Sequence, residues 1–148
     1  MKIMAVDFGD SRTGLAMCDR TEFLCSPLGV IEEKSLPKTV EKIVYAARDY
    51  EAAMIVVGLP RNMDGSEGSR AEKCRRVATM IETIMRDIPV ELYDERLTTA
   101  QAVRYMNETD TRGKKRKQTI DAAAAALILE SFIARRHADE SNEAINPE

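Results

Sequence analysis

The sequence predicts an α/β fold: a mixed sheet of about five strands flanked by helices, the first three strands antiparallel and the later ones alternating with helices. Three observations predict it. Short strand-like runs joined by turn residues fill the first third of the chain. The continuous apolar run Met54-Ile55-Val56-Val57, ended by Gly58 and Pro60, reads as a strand covered on both faces. Segments of helical periodicity then separate that run from a last strand-like run, Val90 to Tyr93.

Taken in order, residues 2–7 form the first strand and residues 13–18 the second, with Gly9-Asp10-Ser11-Arg12 as the hairpin link. Residues 27–31 form the third. Ser35 is placed to cap a helix with Pro37 in its first turn, followed by Val40, Ile43, Val44 and Ala47 at helical spacing. Polar residues 61–68, with two glycines, form a loop after the buried strand. Its amides and the helix that follows offer a place for a phosphate, or the segment is simply a connection. Ser69 and Glu72 make a capping-box pattern for a second helix, with Ala71, Cys74, Ala78, Ile81, Met85 and Ile88 as its apolar stripe and Pro89 as its stop. Thr98 and Gln101 repeat the pattern for a helix to about residue 107. Residues 108–118 read as a charged loop and 119–137 as the last helix.

At 148 residues the chain fits one domain, of a size that buries about 68–70% of the surface its unfolded form exposes. No stretch approaches the ~20 apolar residues of a membrane span, and no basic-apolar-small signal order opens the chain, so the expected location is the cytoplasm. Three cysteines without CxxC spacing indicate neither a disulfide framework nor a zinc site. The single histidine, His137, reads as a solvated helix-end residue. Residues 139–148 carry four acids and no basic residue, and are expected to be a disordered acidic tail. Without them the body, 1–138, holds 22 basic against 21 acidic residues. Within it, Arg112, Lys114, Lys115, Arg116 and Lys117 crowd five positive charges into six positions. Such a segment suits the phosphate backbone of a nucleic acid, without reading its sequence, or is a solvated loop.

Three acids stand where apolar or capping groups are usual. Asp7 ends the first strand, Glu95 follows the last, and Asp121 shares a helix face with Ala125, Ile128 and Phe132. Singly, each has an ordinary explanation: a turn aspartate, a surface acid paired with Arg96, an acid favoured at a helix start. Together they lie at the carboxyl ends of strands, where open α/β sheets bind ligands, and on a packing stripe that water does not reach. Hard oxygen donors without a His or Cys cluster point to Mg²⁺ or Mn²⁺ and to phosphodiester hydrolysis. Arg12 and Arg96, each close in sequence to an acid, are candidates for contacting the scissile phosphate or for pairing with the acids themselves.

Four segments, AVDFGDSRTGLA at 5–16, VVGLPRNMDGSEGSRA at 56–71, DERLTTAQA at 94–102 and IDAAAAALIL at 120–129, resemble the YqgF/RuvX family in order and spacing. The resemblance implies a ribonuclease H-like fold over 1–138 and a cytoplasmic nuclease that processes the 5′ end of the precursor of 16S rRNA. It implies Asp7, Glu95 and Asp121 as catalytic residues and metal ligands. Its substrates would be structured RNA (pre-rRNA) or branched DNA, bound by a monomer or a homodimer. Two other readings stay open: a Holliday junction resolvase, and a nucleic-acid or ribosome-precursor binder without catalysis. Related resolvases carry a further acid three positions along the last helix. Here that position is Ala124, and Asp94 and Asp10 are the candidates to substitute for it.

Overall fold

A computed structural model describes residues 1–103 and 114–145, with the side chains of 121–143 resolved on the last helix. The elements run β1 (Ile3–Asp7), β2 (Arg12–Cys18), β3 (Cys25–Glu32), α1 (Leu36–Asp49), β4 (Met54–Leu59), α2 (Ser69–Ile84), β5 (Val90–Asp94), a 3₁₀ turn (Glu95–Leu97) and α3 (Lys114–Ile145). The sheet order is β3-β2-β1-β4-β5. β1 pairs antiparallel with β2 and parallel with β4, and β4 runs parallel to β5. The mixed five-stranded sheet expected from the sequence is therefore present.

Alternation along the strands builds two cores. Met4 and Val6 of β1, with Ile55 and Val57 of β4, meet Val40 and Ile43 of α1 and Cys74, Val77 and Ile81 of α2. Ile3 and Ala5, with Ala16 and Val56, face Ala124, Ala125, Ile128 and Leu129 of α3. Small residues on both sides of this second layer let the helix lie close to the strands. Tyr93 closes its edge, stacking edge-on against Phe132 at 5.7 Å and sharing a 2.7 Å hydrogen bond between its hydroxyl and Ser131. Among the described residues no helix is long and apolar enough to cross a membrane.

Ser35 caps α1 as expected, its Oγ accepting from the Lys38 amide at 3.4 Å. α2 departs from its pattern. Gly68 takes the cap position and no side chain caps the helix, so Ser69 and Glu72 form no capping box. Thr98 does accept from the Ala100 amide at 3.0 Å, but Gln101 turns away and donates to the Arg61 carbonyl at 3.3 Å. The largest correction concerns α3. Residues 114–118 are helical and not loop, since Lys, Arg and Gln are strong helix formers and the breaker Gly113 precedes them. The helix also runs past 137 to Ile145, beyond the end expected from the sequence. Arg136 pairs with Glu140 one turn on at 3.7 Å, and no proline intervenes before Pro147. The expected loop at 108–113 and residues 146–148 lie outside the described residues, as does the expected helix beyond 103. His137 lies 3.3 Å from Glu22, which also takes the N-terminal ammonium at 2.8 Å and Arg136 at 3.4 Å; this clasp ties α3 to the β2–β3 turn.

Candidate functional site

Asp7 continues the Ile3–Ala5 side of β1 and therefore belongs to the face that α3 covers. Its neighbours follow from register. Asp7 stands opposite Gly14 on β2, and a Cβ on Gly14 would collide with the backbone carbonyl of Asp121. Glycine at 14 thus lets the first turns of α3 press against β2, and it makes residues 7 and 121 neighbours across the sheet–helix interface. Asp7 is 5% exposed and Asp121 7%. The Arg12 Nε donates to Asp121 Oδ2 at 2.7 Å.

Glu95, 1% exposed, arrives from the other side. Asp94 initiates the 3₁₀ turn by accepting from the Arg96 amide at 2.9 Å, and Thr98 closes it with amide and hydroxyl bonds of 3.1 and 3.0 Å to the Glu95 carbonyl. The carboxylate then lies over Gly58 of β4. A Cβ there would stand 3.1 Å from Glu95 Oε1 and 2.7 Å from Ile128 Cδ1. All three acids so converge on one face of the sheet at the carboxyl ends of β1, β4 and β5, beneath the first turns of α3.

Other sequence candidates fall elsewhere. Arg96 grips Asp94, with its Nη2 2.7 Å from Oδ2, and also reaches the Met63 carbonyl at 3.4 Å. Neither acid suggested as a replacement for Ala124 is in place. Asp10 is a 71% exposed partner of Lys73, Asp94 is engaged by Arg96, and Ala124 itself is fully buried against the sheet. Arg112 lies outside the described residues. Lys114, Lys115, Arg116 and Lys117 are known here by their helical backbone, which leads directly into Asp121. One neighbour of the acids was not foreseen. Arg70, in the first turn of α2, donates from Nη2 to the Phe8 carbonyl at 2.7 Å and lies 4.0 Å from Asp7 Oδ1. The signal for it was available: a cation in a first turn opposes the helix dipole and so calls for another use.

The hydrogen bonds from Arg96 hold the Asp94 carboxyl below the usual carboxylate range. A depressed folded-state value stabilises the protein above the unfolded value, about 4, and that contribution disappears as the pH falls through the folded one. Asp94→Asn is expected to be less stable than the parent at pH 7, by about 0.5–1 kcal/mol for so accessible a pair. The two urea midpoints should draw together as the pH falls below about 4.

Would these residues suit a metal ion? The donor set is three nine-tenths-buried carboxylates, with His137 engaged at the far end of α3 by Glu22. Burial of that much negative charge calls for cations or hydrogen-bond donors, and Arg12 and Arg70 supply part of the compensation. Oxygen-only chemistry fits a hard divalent ion. Among the described residues no three acidic, His or Cys side chains are already drawn together as a closed metal cluster. The carboxylates converge without being preassembled.

Among the described residues, a sheet in the order β3-β2-β1-β4-β5 with α3 crossing its acidic face and α1 and α2 on the other has the ribonuclease H-like fold. Thermus thermophilus RuvC bound to a Holliday junction shares the fold, with a TM-score of 0.57 over 93% of this chain and 96% of that one at 12% identity. The fowlpox virus resolvase in its junction complex aligns equally well, at 0.57 and 11% identity over 91% and 98%. The chain belongs to the RuvX family, described as Holliday junction resolvase, which it matches over residues 1–135. It is 44% identical over 134 residues to the "Putative pre-16S rRNA nuclease" of Pelotomaculum thermopropionicum, covering 90% of this chain and 86% of that protein. The protein of the same name from Halothermothrix orenii is 41% identical over 133 residues, covering 90% and 94%.

Proposed function

We propose that the chain is a metal-dependent endonuclease that hydrolyses phosphodiester bonds in structured nucleic acid, with precursor 16S rRNA, cut at its 5′ end, as the substrate. One observation carries the reading: three buried carboxylates from three separated segments lie on one face at the carboxyl ends of the strands. A core has no packing reason to collect them. The names of the 35–44% identical relatives support RNA as the substrate.

In this reading Asp7, Glu95 and Asp121 hold Mg²⁺ or Mn²⁺. When bound, the ion acidifies a water and offsets charge on the phosphate. The chain contributes position. β1 and β5 present Asp7 and Glu95 from rigid strand ends, and α3 brings Asp121 against them. Arg12 orients Asp121 through its 2.7 Å bond. Ile128 walls the apolar side beside Glu95, which keeps bulk water from that carboxylate. The basic start of α3 draws the polyanion toward the acids. The site has its place in the cytoplasm, where precursor rRNA is made.

The test is direct. Purified protein is incubated with precursor rRNA and with four-way DNA junctions, in Mg²⁺, Mn²⁺ or chelator, and the product ends are mapped. Cleavage of the RNA near the mature 5′ end, abolished by chelator, is expected. Symmetric cutting of the junction alone, by a two-fold dimer, would instead establish the resolvase reading. Binding of either substrate without cleavage would make the chain a binder.

A further inference from the structure

Beside the acidic face, on the loop side of β4, lies a cleft of about 250 Å³ lined by Pro60, Arg61, Asn62, Ser69, Arg70 and Gln101 among others. Among the described residues, no acidic side chain lines it. Its polar wall is dominated by two guanidinium groups whose positions are fixed by other parts of the fold. Arg70 is anchored through Nη2 to the Phe8 carbonyl, a neutral acceptor, at 2.7 Å. Arg61 shares Glu67 at 3.5 Å, but Glu67 is already gripped by Arg75 through bonds of 2.6 and 2.8 Å. Both Nε atoms, of Arg61 and of Arg70, are shielded from solvent and have no hydrogen-bond partner among the described residues. A buried donor left in that condition is unfavourable until an acceptor reaches it.

We propose that this cleft is a phosphate subsite, in which Arg61 and Arg70 hold a backbone phosphate of the nucleic acid one or two nucleotides from the bond presented to Asp7. The chemistry selects the ligand class. Two guanidinium forks with no carboxylate among the described lining residues favour a compact anion rich in acceptors, and a phosphodiester offers both properties. Location selects the role. Arg70 touches the cleft and lies 4.0 Å from Asp7 Oδ1, so one side chain joins the subsite to the acids. A phosphate held there fixes the register of the strand over the carboxylates, which phosphate contacts do without reading bases. Arg61 is tied to the same end of the molecule, since its carbonyl accepts from Gln101 just after the turn that carries Glu95.

The subsite rests on the nuclease reading, and the experiment separates the two. Short RNA and DNA oligonucleotides, each with one phosphate replaced by a neutral methylphosphonate, are bound in chelator and followed by fluorescence anisotropy. For the parent protein one replacement position is expected to weaken binding about tenfold. In Arg70→Gln and Arg61→Gln that same position should become silent while the others keep their effects, and the salt slope should fall by about 1. Arg70→Lys should restore part of the position's effect. If Arg70→Gln does not fold, as judged by circular dichroism, Arg61→Gln carries the comparison alone. Variants that weaken binding equally at every position, or that leave the map unchanged, overturn the subsite. A parent protein that cuts precursor RNA while its variants keep the parent map overturns the subsite and spares the nuclease reading. A parent that neither binds nor cuts overturns both.

Discussion

Asp7→Asn is expected to lower cleavage by at least 10²–10³-fold, on the order lost when one electrostatic contributor is removed from an active centre. The change keeps the size of the side chain and removes its charge. Asp7 is 5% exposed on the central strand. Folding should be intact, with the thermal midpoint in chelator unchanged or raised by a few degrees, because one buried negative charge fewer has to be compensated. Mg²⁺ gives a second readout that does not depend on turnover. A ligand at 100 times its dissociation constant stabilises by about 2.7 kcal/mol, so the parent should melt higher with the ion and the variant should respond weakly or not at all. Nucleic-acid binding in chelator should persist. An Asp7→Asn protein that still cut RNA at the parental rate would remove the carboxylate centre from the mechanism.

Gly14→Ala should produce the largest loss of stability of any single methyl addition in the site. The added Cβ meets the Asp121 carbonyl, a backbone atom in a packed helix, and cannot be accommodated by a rotamer change. Either α3 lifts from the sheet or β2 bends. Overpacking of this kind costs about 3 kcal/mol, or about 6–12 °C in the melting temperature of a domain this size. Cleavage should fall further than stability explains, since a displacement of about 1 Å in a catalytic group costs ~100-fold. Gly68→Ala provides the contrast. Its Cβ meets nothing within 4 Å, and the expected cost is about 1 kcal/mol or less, from a poorer helix cap. Equal melting temperatures for the two variants would mean that Gly14 does not set the height of α3.

The legible parts of this protein were those governed by short-range periodicity. Asp7 was legible as the residue that ends the first strand, and the 121, 125, 128, 132 spacing put Asp121 toward the sheet; both acids are buried. Glu95 was legible as a residue after a strand. Its depth was not, because it depends on Gly58 and Ile128, residues with no local relation to it. The Arg12–Asp121 bond spans 109 positions, and the alternative of pairing with an acid could be named for Arg12 but its partner could not. Arg96 took the nearest acid, Asp94. Helix ends were missed where two local preferences competed. Gly68 displaced Ser69 at the start of α2, and at 114–118 helix propensity prevailed over the repulsion of like charges that suggested a loop.

The close seat of α3 on β2 has a consequence for the order of events during synthesis. β1 and β2 leave the ribosome early, and β4 and β5 can complete the sheet, yet Asp121 belongs to the last helix to emerge. A nascent chain therefore exposes Asp7 and Glu95 on an uncovered apolar face that has no third carboxylate and no Arg12 bond to Asp121. The centre is assembled by the same docking step that seals the second core. If the three acids are the cutting centre, as proposed, a copy whose α3 has not docked lacks Asp121 and should be inactive.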